Sequence, residues 1–283
     1  MKKILSLALV LAIALTCVLA LTSCGETKIK IAVPNDTTNE ARALMLLEAQ
    51  GLIKLREGAG ITATRADIVE NPYNIEILEV EAAQLPNVLQ DFDYAVINSN
   101  YAIAADLSPK NDTVAIEGSA SAYTNIIAVK EGRENDPLIK ALCAALESKA
   151  VADYINDTYN GDVVCVVENP GDGYAADVDY SALAGKTVKV AASPAPHSDI
   201  LKVAKDILAA RNITLEIGEF QDYIVPNTVV EDGSYDANYF QHTPYLKDFN
   251  SEKGTHLVVA SEIHVEPMGI YSVNHKSLDE IKK

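Results

Sequence analysis

The chain has 283 residues and a formal net charge of −17, with 23 basic against 40 acidic side chains. No basic patch is present, which excludes nucleic acid as a natural partner, because phosphate binding needs clustered Lys and Arg. There is no tryptophan and no metal-type cysteine spacing, and the length suits one large domain or two of roughly 100–150 residues.

The N-terminus reads as a leader. Lys2 and Lys3 precede the apolar run 4–20, and Leu21-Thr-Ser-Cys24 closes it. That run is near the short end for a ~30 Å hydrocarbon core. Small residues directly before a cysteine suit a lipoprotein signal peptidase, which cuts in front of an acylated thiol. Residues 1–23 are therefore expected to be a lipoprotein signal peptide, Cys24 the lipid-bearing residue and 24–27 a tether. The expected location is the extracytoplasmic face of a cell membrane, lipid-anchored. Cys17 leaves with the signal. Cys143 and Cys165 lie in apolar runs and read as buried small hydrophobes, with a disulfide between them left open.

After the tether, KIKIAVP (28–34) alternates as a strand does, and Thr37-Thr-Asn-Glu40 has the pattern of a capping box ahead of a helix. NIEILEVE (74–81) predicts a strand, QLPNVLQD a helix, and YAVINSNYAI (94–103) a strand with a polar end. TNIIAVK (124–130) predicts another strand, 137–157 one helix, and VVCVVE (163–168) a short apolar strand. The Gly-, Pro- and Asp-rich stretch 169–185 reads as a linker. Beyond it KTVKVAASPAPHSDIL repeats the opening order of strand, polar turn and helix, and TLEIGEF, HLVVASEI and GIYSV follow as strands. Strands alternating with helices argue an α/β protein with mostly parallel sheets, and the repeated opening argues two similar lobes. Ligands of such lobes bind beyond the carboxyl ends of strands.

Several polar clusters fall at those ends. Arg42 sits in the second turn of a capped helix, where a guanidinium could clamp a carboxylate through two hydrogen bonds; read alone, it fits better a surface arginine paired with a neighbouring acid. Asn98 ends AVIN and offers donor and acceptor together, or simply forms a turn. His264 and Glu266 share a face, and Glu266 could hold an ammonium group. His197, His242, His264 and Glu266 also make a rival set of metal ligands, although none has metal-type local spacing. Ser193 and His197 lie four residues apart without a nucleophile elbow, so catalysis has little support. DANYFQHTPYL (236–246) gathers Tyr239, Phe240, His242 and Tyr245 around Pro244. Alternation puts Phe240 with His242, and Pro244 is expected to stop any ladder or helix.

NDTTNEARAL, IVENP, EAAQLP, AVINSNYA, ASPAPHSDIL, DYIVPN, DANYFQHTPYL and HVEPMGIYS closely resemble segments of the NlpA-type methionine-binding lipoproteins, the solute receptors of methionine ABC importers. The resemblance spans nearly all of 28–283. It implies an α/β, two-lobed periplasmic-binding-protein fold of type II-like construction, with a hinge and an interlobe cleft. It further implies capture of L-methionine for an ABC permease and ATPase, with no catalysis, no cofactor and no resident metal. D-methionine, another amino acid or a methionyl dipeptide is the nearest alternative ligand; a metal receptor or a vestigial surface lipoprotein is more distant. The resemblance places Tyr223, Phe240, His242 and Tyr245 at the ligand side chain, Arg42 at its carboxylate and Asn98 at its amino-acid end. Asn71, His264 and Glu266 match motif positions near the cleft. The order departs from the family: the KTVKVAASP half, which comes first there, here follows the 169–185 linker. A circular permutation is expected, a fragment of a tandem array being the rival. One lobe should comprise 28–117 and the other 118–270, with 271–283 returning to the first.

Overall fold

The computed structural model describes residues 28–118 and 123–283; the expected signal peptide, Cys24 and the tether lie outside them. The first lobe opens with β1 (Lys30–Pro34) and α1 (Thr37–Ala49). Asp36, in extended conformation, caps α1 by accepting from Asn39 N at 3.1 Å. The expected Thr37–Glu40 box does not form, because the Asp one residue earlier already meets that free N–H and Glu40 instead accepts from the Arg65 backbone at 2.9 Å. A short ribbon of β2 (Lys54–Leu55) and β3 (Ile68–Glu70) leads to β4 (Glu76–Val80), α2 (Leu85–Val88), β5 (Tyr94–Ile97), α3 (Ser99–Ala104) and β6 (Thr113–Ile116). The strand expected over 94–103 therefore ends at Ile97. Asn98 stays extended and its carbonyl accepts from the N–H groups of Tyr101 and Ala102, which starts a helix.

The second lobe runs through β7 (Thr124–Lys130), α4 (Pro137–Leu146), α5 (Lys149–Tyr159), β8 (Val164–Cys165), α6 (Tyr180–Leu183), β9 (Thr187–Ala192), α7 (Asp199–Ala209), β10 (Thr214–Glu219), α8 (Val225–Glu231), β11 (Ala237–His242), α9 (Thr243–Lys253) and β12 (Leu257–Val265). The single helix expected over 137–157 is two, because Ser148 breaks it and caps α5 by accepting from Val151 N at 3.2 Å. Pro244 begins a helix rather than blocking one: in the first turn of α9 its missing N–H costs nothing. The chain then returns to the first lobe as β13 (Gly269–Tyr271), which pairs with β5 and β6. The crossing thus falls at 266–268, ahead of the boundary expected at 270.

The first sheet has the order β4-β1-β5-β13-β6 and the second β10-β9-β11-β7-β12-β8. Each is parallel on one side and antiparallel on the other, so the sheets are mixed rather than mostly parallel as expected. The antiparallel halves have a simple cause. One chain segment leaves β6 for β7, the other comes back from β12 to β13, and the two run in opposite directions. Glu117 and Met268, one on each crossing, are joined by Glu117 N to Met268 O at 2.8 Å and Met268 N to a Glu117 carboxylate oxygen at 3.2 Å. These two segments are the hinge.

Alternation fixes the cores. Ile31, Val33, Tyr94, Val96 and Ile270 face one side of the first sheet beneath α1, while Ala32, Ala95, Ile97 and Tyr271 face the other. Leu278 and Ile281 from the C-terminal tail fill the same core as Ile31. The start of β1 and the tail meet at Asp93, which accepts from Lys30 N at 2.7 Å and, through its carbonyl, from Ser272 Oγ at 2.6 Å. In the second lobe α4, α5 and α7 cover one face of the sheet. Cys143 faces that core and Cys165 lies in β8; both are free thiols. The 169–185 stretch lies across the second lobe, with Gly171 bonded to Glu147 and Lys149 and Tyr174 Oη donating to Ile207 O. No helix among the described residues is long and apolar enough to cross a membrane.

Candidate functional site

A narrow, nearly closed cavity lies between the lobes beside the hinge. Asn39, Arg42, Asn98, Ser99 and Asn100 line it from the first lobe; Asn125, Tyr223, Phe240, Gln241, His242 and Tyr245 line it from the second, and Glu266 lines it from the hinge. The positions follow from strand ends and helix starts. Asn39 and Arg42 lie three residues apart on one face of α1, Asn98 to Asn100 begin α3, and Phe240 to His242 end β11.

Arg42 is buried and tied to both hinge crossings. Its Nε lies 3.1 and 3.2 Å from the two Glu117 carboxylate oxygens, its Nη2 also bonds Glu117, and Nη2 donates to the Glu266 carbonyl at 2.8 Å. The guanidinium stacks over the Tyr123 ring, 4.2 Å from its centroid. Because Glu117 occupies the Nε–Nη2 edge, the two-pronged clamp expected of Arg42 is already engaged within the protein, and no hydrogen bond from Nη1 is found among the described residues.

Asn98 donates from Nδ2 to Asn39 Oδ1 at 2.8 Å, while its Oδ1 is buried with no partner. A buried acceptor without a donor is costly and points to something that enters the cavity. Glu266 Oε1 lies 2.7 Å from His264 Nε2 and 3.2 Å from His197 Nε2. Burial lowers both imidazoles to about 3 and raises the Glu266 carboxyl. The two rings are therefore neutral donors beside a carboxylate, and Tyr239 Oη, 2.5 Å from His264 Nδ1, fixes the tautomer that donates.

The opposite wall is aromatic. Tyr223, Phe240 and Tyr245 meet with centroids 5.8–6.0 Å apart, Phe249 backs Tyr245, and Tyr245 Oη donates to Tyr223 O at 2.8 Å. Tyrosine hydroxyls near the cavity bridge the lobes, Tyr223 Oη to Asn100 Oδ1 at 2.6 Å and Tyr101 Oη to Gln221 O at 2.9 Å, and farther out Ser108 Oγ donates to Asp162 Oδ2 at 3.0 Å. His242 caps α9 through Nδ1, which accepts from Tyr245 N at 3.2 Å, and burial holds its ring well below the usual imidazole range.

The profile of the family described as NlpA lipoprotein matches residues 25–167 and 188–283. The chain belongs to the NlpA lipoprotein family. It is similar to membrane lipoprotein TpN32 of Treponema pallidum, 49% identical over 131 residues that make 46% of this chain and 49% of that protein. It is 42% identical over 137 residues to the D-methionine-binding lipoprotein MetQ of Escherichia coli, covering 48% of this chain and 51% of the relative. Each match spans about half the length of the curated relative. Among solved structures, a nutrient-binding protein from Burkholderia cenocepacia bound to methionine is 47% identical, with 49% of this chain and 60% of that chain covered and a TM-score of 0.47.

Of the residues singled out in this NlpA-family sequence, Arg42, Asn98, Tyr223, Phe240, His242, Tyr245 and Glu266 line the cavity. Two others do not. Asn71 is exposed and closes its own turn, donating to Ile75 O at 2.8 Å and accepting from Ile75 N at 2.9 Å. His264 is wholly buried behind Glu266 and reaches the cavity only through it. Sequence reasoning missed Asn39, Ser99, Asn100, Asn125 and Gln241. The i, i+3 spacing from Asn39 to Arg42 was an available signal. Gln241 was hidden by a register shift between Tyr239 and Gln241, where the paired partners move only from Ile127 to Ile126. That bulge makes Phe240 the extra residue and brings Gln241 to the cavity beside it, against the alternation expected.

Proposed function

We propose that this chain is an extracytoplasmic receptor, lipid-anchored at Cys24, that captures L-methionine and delivers it to an ABC permease and its ATPase. The observation that carries this reading is the polarity of the cavity: Arg42, Asn98 and Glu266 at one end, and the Tyr223–Phe240–Tyr245 wall at the other. A zwitterionic amino acid with an apolar tail needs that division. Arg42 Nη1 takes the carboxylate, the unpartnered Asn98 Oδ1 and Glu266 take the ammonium, and the rings receive the thioether, each sulfur–aromatic contact contributing about 0.3–1.5 kcal/mol. Lobe-bridging bonds from Tyr101 and Tyr223 would favour the closed state once ligand fills the cleft. The residues do no chemistry on the ligand; they bind, orient and release it.

A thermal-shift panel tests the reading, with L-methionine, D-methionine, other amino acids, methionyl dipeptides and zinc. A ligand at 100 times its dissociation constant adds about 2.7 kcal/mol to a protein that binds it only when folded. A selective rise with L-methionine is expected; a flat response from a cooperatively melting chain overturns it.

We further propose that the two halves are circularly permuted relative to the family. In support, the stretch between the two matched blocks, 168–187, contains the Gly- and Pro-rich linker. Collinear matches also stop near half of each relative. The start of β1 and the C-terminal tail meet at Asp93, so an uninterrupted chain could pass between them.

A further inference from the structure

Sequence alone leaves His197, His242, His264 and Glu266 as unassembled metal-ligand types. The fold separates His242, which caps α9, and gathers the other three at the second-lobe side of the hinge. One ligating atom from each lies within 4.8 Å of the others, and all three side chains are buried. Glu266 Oε1 is the shared neighbour, 2.7 Å from His264 Nε2 and 3.2 Å from His197 Nε2. Bonds of about 2.0–2.1 Å in a tetrahedral site space the donor atoms about 3.3 Å apart, so modest side-chain shifts around that oxygen would admit an ion. A fourth donor is at hand: Asn125 Oδ1 lies 2.8 Å from His197 Nε2 and its residue lines the cavity.

We propose that His197, His264 and Glu266 form a binding site for a zinc-class divalent cation at the back of the interlobe cavity, with Asn125 or a group in the cavity as fourth ligand. The outer contacts suit this chemistry. A metal on Nε2 would require the other His264 tautomer, with the hydrogen on Nδ1 donated to Tyr239 Oη and the tyrosine hydroxyl hydrogen turned away from the ring. His197 now holds its hydrogen on Nε2 toward Asn125 Oδ1 and Glu266, and a metal on that nitrogen would displace the hydrogen to Nδ1, which has no partner among the described residues. Glu117 matches Arg42, so the Glu266 carboxylate has charge to offer one cation, either the metal or the ammonium group proposed above. Asn125 and Glu266 both line the cavity, so the site faces the space between the lobes. The site shares Glu266 with the ammonium contact proposed above, so bound amino acid and bound metal should affect each other's affinity, and the test below is made without amino acid.

The test is a cobalt titration of the purified full chain, stripped with a chelator and free of amino acids. One equivalent of Co²⁺ should give the visible ligand-field bands of a four-coordinate site, and zinc should abolish them. His197→Gln and His264→Gln should each weaken cobalt binding by more than tenfold, and Tyr239→Phe by about 10- to 100-fold. His275→Gln, at the distant pair with Asp93 and Glu280, should leave it unchanged. Absence of the bands in the unmutated chain overturns the proposal whether or not the variants fold. Equal cobalt affinity in both ligand variants overturns it too. A methionine-induced thermal shift that survives in chelator, without cobalt bands, sinks the metal site and leaves the receptor reading standing.

Discussion

Asn98→Ala isolates the proposed ligand contact from the scaffold. In the empty protein the substitution removes one bond, Asn98 Nδ2 to Asn39 Oδ1, and also removes a buried acceptor that had no partner. An ordinary internal hydrogen bond contributes about 0.5–1.5 kcal/mol, and deleting the orphan oxygen offsets part of its loss. The empty protein should therefore melt within about 2–4 °C of the parent. In the complex, Oδ1 accepts from a charged ammonium group, and such bonds contribute about 1.5–3 kcal/mol. Affinity for L-methionine should accordingly fall by about 10- to 150-fold at 1.4 kcal/mol per decade. Calorimetric titration beside melts of the empty chain reads both quantities. Affinity within threefold of the parent refutes the assignment of Asn98. A binding loss matched by an equal loss of stability in the empty protein also refutes it, since Asn98 would then be scaffold.

Arg42→Ala should abolish binding of free amino acids and, by stranding Glu117, destabilise the chain by up to about 3–5 kcal/mol. Arg42→Ala with Glu117→Ala should regain much of that stability without regaining binding; recovery of binding would place the carboxylate contact elsewhere. Asp36 has a carboxyl raised from 3.8 to about 6, first by burial, with Oδ2 unpartnered. A folded-state value above the unfolded one means that the native protein holds the proton more tightly, so stability should fall as pH rises from about 4 through about 6. Asp36→Asn keeps an oxygen to cap α1, should flatten that slope, and should gain on the order of 2–3 kcal/mol at pH 8; urea melts across this range that leave the slope unchanged would remove Asp36 as its source. A chain rearranged to begin at Lys186 and end in the linker, with Lys283 joined to Lys28 by a short Gly/Ser segment, should fold and bind as the parent does. An unfolded product would count against the permutation.

Much of this architecture is legible in local signals. The strand patterns in KIKIAVP, TNIIAVK and TLEIGEF become β1, β7 and β10, and Asn98 and Glu266, just after strands, and Arg42, in the helix that follows β1, come to the cleft as the connections after strands do in α/β lobes. What went astray are matters of competition between neighbours. Asp36 took the cap from Thr37, Ser148 divided one helix into two, and Pro244 began the helix it was expected to block. Each turns on which of two adjacent polar or proline residues meets a free backbone group, and periodicity is blind to that choice.

By itself the sequence pointed to the α/β class and the two-lobed plan through periodicity and turn chemistry, and to the family and seven of the cavity-lining residues through motifs whose resemblance is local in the chain. Only the tertiary structure decided which charges remain free. Glu117 is 75 residues from Arg42 yet occupies its Nε–Nη2 edge, and His197 stands beside Glu266 although 69 positions separate them. Long-range pairing of buried charges depends on how two sheets meet at a hinge, and no short window of residues carries that geometry.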